Sequence, residues 1–212
     1  MGGYSFAVDI GGTFTDIVLR HQDGRTWVDK TLTTYGDLLD GFFTAVDASM
    51  ARAGSTPADV DDVIVHATTV VTNAVLTRSG QPTALLVTEG FKDVLYIRDE
   101  HRYDMFDPQI EYAEPIVPRA LTWGISERTL ADGSIATEVD EAQISALAQE
   151  MKSKGVVAVA VCLLNAYVNG ANERRIRDIL TEHAPGLYVS ISSEVAPQIR
   201  EYPRAATTAL NA

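Results

Sequence analysis

Apolar and polar positions along this chain switch repeatedly between a two-residue and a helical period, and that switching predicts its elements. Residues 6–10 form an apolar run suited to a buried strand. Gly11 and Gly12 interrupt it, and a β-prone segment then resumes as far as Arg20. Asp23-Gly24 marks a turn and 26–33 a third strand, so the opening reads as a small antiparallel meander. Asp37 is placed to cap a helix in which Leu38, Leu39, Phe42, Val46 and Met50 recur at helical spacing until Gly54. A short strand at 63–65 leads into a threonine-rich junction and a helix running to Arg78, followed by a buried strand at 83–87. Pro115 and Pro118 bracket a linker. Beyond it, 121–130 and 135–139 read as a hairpin turning at Asp132-Gly133. A helix at 141–154, an apolar strand at 156–164, a helix at 172–183 and a strand at 187–191 complete the pattern. Alternating strands and helices predict a parallel layer with helices covering it. Two α/β units are expected, 1–112 and 113–212.

The chemistry of the first turn stands out. Asp9-Ile10-Gly11-Gly12-Thr13-Phe14-Thr15-Asp16 sets two glycines between strand-like runs, where backbone N–H groups can converge on an anion. Thr13 and Thr15 add hydroxyl donors, and Asp9 and Asp16 could hold a divalent cation directly or through water. Together they offer a seat for a Mg²⁺-phosphate. Other nucleotide motifs fit less well: a Rossmann fingerprint needs three spaced glycines and a helix, and a P-loop needs a Gly-Lys-Ser/Thr ending. An ordinary Gly-Gly hairpin, with threonines chosen for strand propensity, accounts for the same residues. At 66–73 a strand, a polar junction and a helix start form the geometry that suits an anion or polar substrate group, and simple capping explains it equally well. His66, His101 and nearby carboxylates match no helical zinc spacing.

Composition narrows the classes. The chain has 212 residues, a formal net charge of −12 and one cysteine, Cys162, inside an apolar run. Such acidity argues against nucleic acid and anionic membranes as partners. A lone cysteine rules out a disulfide within the chain, and no apolar run reaches the roughly 20 residues needed to cross a bilayer. A cytoplasmic protein is expected.

The 9–16 stretch resembles the first phosphate motif of the actin, Hsp70 and sugar-kinase ATPase superfamily. More narrowly, it is similar to the opening of the hydantoinase/oxoprolinase family of N-methylhydantoinases, 5-oxoprolinases, and acetone and acetophenone carboxylase subunits. Further similar stretches are His66-Ala67-Thr68-Thr69 with Thr72-Asn73 and Arg78-Ser79-Gly80, the 88–95 segment, Val117-Pro118-Arg119, and Glu201 through Ala212 with its Arg-x-x-Thr-Thr-x-x-Asn-Ala pattern. The resemblance implies an actin-like (ribonuclease H-like) ATPase lobe at 1–112 and a family-specific α/β unit at 113–212. It also implies that the chain is the N-terminal part of a larger subunit, inactive when isolated. ATP and Mg²⁺ are the implied cofactors. Gly11, Gly12, Thr13 and Thr15 would hold phosphate, Asp9 and Asp16 would organise Mg²⁺, and His66, Thr68, Thr69, Thr72 and Asn73 would line the adjoining site. The implied reaction uses ATP to activate a cyclic amide for ring opening, or a ketone or bicarbonate for carboxylation, in a hetero-oligomer with a second, B-type subunit. Two alternatives remain: a sugar kinase or activase of the same superfamily, and a non-catalytic module that docks a partner subunit.

Overall fold

The computed structural model describes residues 3–34 and 36–212, in two compact units, Met1–Ser79 and Gly80–Ala212. The first contains β1 (Tyr4–Ile10), β2 (Phe14–His21), β3 (Thr26–Leu32), α1 (Leu38–Ala53), β4 (Val60–Thr68) and α2 (Val70–Thr77). Its sheet has the order β3-β2-β1-β4, antiparallel through the meander and parallel between β1 and β4. Strand alternation sends Phe6, Val8, Ile17 and Leu19 to one face, where Ala45, Val46 and Met50 of α1 bury them. Asp37 caps α1 by accepting the Leu39 N–H at 2.9 Å, and Gly54 ends it at φ 68°, in the left-handed conformation that glycine adopts freely. The alternate positions Ala7, Asp9, Val18 and Val28 face away from this core and are exposed.

The second unit contains β5 (Thr83–Thr88), α3 (Val94–Ile97), β6 (Thr122–Ile125), β7 (Arg128–Thr129), β8 (Ile135–Thr137), α4 (Glu141–Ser153), β9 (Ala158–Cys162), α5 (Ala171–His183), β10 (Tyr188–Ile191), α6 (Ser192–Val195) and α7 (Glu201–Asn211). Its main sheet is wholly parallel, in the order β10-β9-β5-β6. Leu86, Val159 and Val161 pack against Ile144 and Met151 of α4 and Ile176 and Leu180 of α5. Leu85, Val87, Ala160 and Cys162 pack on the other side, against Leu95, Val117, Ala205 and Ala209. Burial on both faces explains why these strands are continuous apolar runs. Cys162 is among them, and burial pushes its thiol up to about 12.

The compact units divide between Ser79 and Gly80, and β5 pairs with β6 and β9. One expectation changes. The expected strand over 121–130 is two: β6 joins the parallel sheet, and β7 forms a two-stranded ladder with β8. At the carboxyl ends of the strands, buried polar groups close the layer. Glu127 accepts from Thr88 Oγ1 and, at 2.8 Å, from Asn172 Nδ2. Glu173 accepts from Leu163 N, Ser192 Oγ and Ser193 N at 2.9, 2.6 and 2.8 Å. No helix among the described residues is long and apolar enough to cross a membrane.

Candidate functional site at the first hairpin

The β1–β2 turn is built by pairing Ile10 with Thr15 and Asp9 with Asp16. Directly opposed residues of antiparallel strands share a face, so the two carboxylates flank the turn side by side. Gly11 N donates to Phe14 O at 2.9 Å and closes the reversal. Neither Gly11 nor Gly12 has a positive φ, so left-handed backbone is not what requires glycine here. Close approach is the reason. A Cβ on Gly12 would lie 2.5 Å from Asn73 Nδ2, and one on Gly11 would lie 3.0 Å from Phe14 O.

The threonines divide their work. Thr15 is fully buried, and its hydroxyl pairs with Thr33 Oγ1 at 3.3 Å. Thr33 Oγ1 donates to Gly11 O at 2.9 Å, while Thr33 N donates to Thr13 O at 2.9 Å. Thr15 and Thr33 therefore brace the turn from behind, and the exposed hydroxyl is that of Thr13. Asp16 forms an ion pair with Lys30 at 3.0 Å, and Lys30 Nζ also sits 4.6 Å from the centre of the Phe14 ring. Asp9 is exposed and makes no such pair among the described residues. Lys30 and Thr33 escaped the sequence reading because only the β2–β3 register sets Lys30 opposite Asp16.

The threonine-rich junction reaches this turn from β4. Thr68 Oγ1 donates to Ile10 O at 3.1 Å and accepts Val70 N at 3.1 Å, so Thr68, not Thr69, supplies the side-chain cap of α2. Thr69 N donates to the same Ile10 carbonyl at 3.2 Å. Asn73 N donates to Thr69 O at 2.9 Å and its Nδ2 to Thr69 Oγ1 at 3.3 Å, which holds the Asn73 amide beside Gly12. Thr72 is exposed on the outside of α2. His66 pairs with Val8 in the β1–β4 ladder, and so lies on the face opposite Asp9. The structure thus gathers Asp9, Asp16, Gly11, Gly12, Thr13 and Asn73 around one turn and leaves His66 and Thr72 apart from the carboxylates. Among the described residues no three His, Cys, Asp or Glu side chains converge as a metal cage.

Gly12→Ala tests the close approach. We expect the fold to survive at a cost of about 1–2 kcal/mol, because the new methyl must push Asn73 aside. Adding Asn73→Ala should recover most of that loss in thermal unfolding. Equal instability of the single and double variants would remove Asn73 as the reason for glycine.

Known proteins are similar to this chain along nearly its whole length. The family model of the hydantoinase/oxoprolinase N-terminal region matches residues 5–184. The caprolactamase subunit alpha of Pseudomonas jessenii is 35% identical over 99% of this chain and 31% of its own length. The acetophenone carboxylase gamma subunit of Aromatoleum aromaticum is 33% identical over 98% of this chain and 30% of its own. The crystal structure of the ATP-dependent caprolactamase from Pseudomonas jessenii superimposes with a TM-score of 0.85 at 33% identity, covering 98% of this chain and 31% of that one. The chain therefore spans about a third of the length of these relatives. Matched by the family model over residues 5–184 and sharing the fold of a solved relative, it belongs to the hydantoinase/oxoprolinase family, in that family's N-terminal region.

Proposed function

We propose that the first hairpin is the phosphate-binding element of an ATP-dependent enzyme that activates a cyclic amide for ring opening. The observation that carries this reading is the unpaired Asp9 carboxylate beside the Gly11-Gly12 turn, with Asn73 docked against that turn. The donor set fits a Mg²⁺-phosphate. Asp9 is a hard oxygen ligand suited to a Mg²⁺-bound water, and Thr13 offers an exposed hydroxyl. Lys30 offers a cation that Asp16 now neutralises. ATP, when bound, would supply a phosphoryl group to the amide oxygen, with ADP leaving, so that the carbonyl carbon becomes open to attack by water and the oxygen can depart as phosphate. Asp9 would orient the metal-bound water, Asp16 would hold Lys30 at the phosphate side, and Gly12 would admit Asn73 to the turn. Thr15 and Thr33 would keep that geometry rigid. Thr68 and Thr69 would tie α2 to it, and His66 and Thr72 would serve neighbouring surfaces.

A carboxylase reading shares the same activation of an oxygen and draws on the acetophenone carboxylase relative, whereas the caprolactamase relative favours the amide. Both relatives are named as subunits, which supports a hetero-oligomeric assembly, and a cytoplasmic location is part of the same proposal. We further propose that nucleotide work resides in the meander-bearing unit, and that the parallel unit is the family-specific addition. The test is phosphate release by the chain in its full assembly, with Mg²⁺-ATP and a panel of lactams, hydantoins and ketones. Release that depends on a cyclic amide supports the reading. Release that depends on a ketone and bicarbonate moves it to the carboxylase, and release that depends only on a sugar overturns it.

A further inference from the structure

In the parallel sheet, β5 leaves towards β6 by way of α3, on the face that α7 also covers. Its neighbour β9 leaves towards β10 by way of α5, on the opposite face. The connections of these adjacent strands diverge, and open parallel sheets bind ligands in the crevice beyond the carboxyl ends of such a pair. A cavity of about 400 Å³ opens at that end, between Gly90 and Phe91 after β5, α3, and the first turn of α7.

Its chemistry is selective. The N-cap of the 11-residue α7 is Arg200, whose side chain has only donors and cannot receive the first-turn amides. Arg204, on the same turn, is 0% exposed. Its guanidinium donates to Leu163 O at 2.6 Å, lies 3.7 Å from Glu201 Oε1 and sits 5.6 Å from the centre of the Tyr167 ring, and its Nε and Nη1 make no hydrogen bond among the described residues. Acidic residues on the wall are largely answered already: Asp93 is held by Arg119 at 2.5 Å, and Glu201 faces Arg204. That leaves Asp99 against Arg98, which donates to Ala113 O and lies 4.2 Å from the centre of the Tyr112 ring, and Arg200, which forms no ion pair among the described residues. Phe91, Val94, Ile97 and Tyr202 supply apolar wall between them.

We propose that this cavity binds a small organic carboxylate, with its head on Arg200 and the amides at the start of α7 and its apolar body against Phe91 and Tyr202. The positive end of the helix and the Arg200 guanidinium act on the same anion. The site lies within the second unit, and its test involves no nucleotide, so it stands or falls apart from the function proposed above.

The experiment uses pentanoate as the probe and pentan-1-ol as its neutral counterpart, followed through the backbone amide signals of Gly90 and Tyr202 in the 212-residue chain. Pentanoate should shift both signals saturably, and pentan-1-ol should shift them far less. Arg200→Gln should weaken pentanoate binding at least about fivefold, because a charge-assisted hydrogen bond is lost, and Arg200→Lys should keep much of it. Arg200→Gly separates binding from folding. The residue sits at φ 80°, ψ 130°, where glycine is unstrained, so this variant should bind as weakly as Arg200→Gln while unfolding no earlier than the parent. Equal shifts by pentanoate and pentan-1-ol, an unchanged affinity in Arg200→Gln, or no saturable shift would each overturn the proposal.

Discussion

Asp9→Asn should lower substrate-dependent ATP turnover of the assembled enzyme by at least about tenfold, equivalent to roughly 1.4 kcal/mol of barrier. Asparagine keeps the shape of the side chain and removes the charge proposed to orient a Mg²⁺-bound water. Stability should move the other way. Asp9 stands directly opposite Asp16, and like charges so placed on antiparallel strands repel by a few tenths of a kcal/mol or more. Asp9 is exposed, so its replacement leaves no buried group without a partner. Without nucleotide, the variant should therefore unfold at the same temperature as the parent or slightly above it. Mg²⁺-ATP should raise the unfolding temperature of the parent more than that of the variant, since a ligand that binds only the native state stabilises it in proportion to its affinity. Equal turnover would remove Asp9 from the reaction, and early unfolding would make it a structural residue.

The second large effect is expected in the parallel unit. Glu173 is fully buried and accepts the Leu163 and Ser193 amides and the Ser192 hydroxyl. Glu173→Ala removes all three hydrogen bonds at once and leaves two backbone N–H groups without partners, each costing about 1–3 kcal/mol. We expect a loss of about 3 kcal/mol or more. Trp27 lies in the first unit and Trp123 in the second, so a Trp27→Phe background lets Trp123 fluorescence report urea unfolding of the second unit alone. A midpoint shift worth less than about 1 kcal/mol would mean that water replaces the carboxylate at little cost.

Elements marked by local chemistry were legible in the sequence. The Gly-Gly reversal, the Asp37 and Gly54 ends of α1, and the strand-to-helix junction at Thr68 each carry their own signal over a few residues. The segment from 121 to 130 does not, because β6 and β7 abut and only the partners they find separate them. The same holds within the site. Asp9, Gly12 and Thr13 could be picked out along the chain, while Lys30 and Thr33 depend on a register that no short window reveals. The Thr15 hydroxyl suits a phosphate by its chemistry, yet alternation along β2 turns it inward, into contact with Thr33. His66 adjoins the threonines along the chain, yet its place in the β1–β4 ladder sends it to the face opposite Asp9.

The strand order of the parallel unit also sets a timetable during synthesis. The meander pairs neighbours in sequence, so its hydrogen bonds are available as soon as residues 4–32 have emerged. β5 is different: its partner β9 begins about 70 residues downstream, and at 5–20 residues per second that is a wait of roughly 4–14 s. Until then Leu85, Leu86 and Val87 have a native neighbour on one edge at most, and an apolar strand buried on both faces is the one that waits.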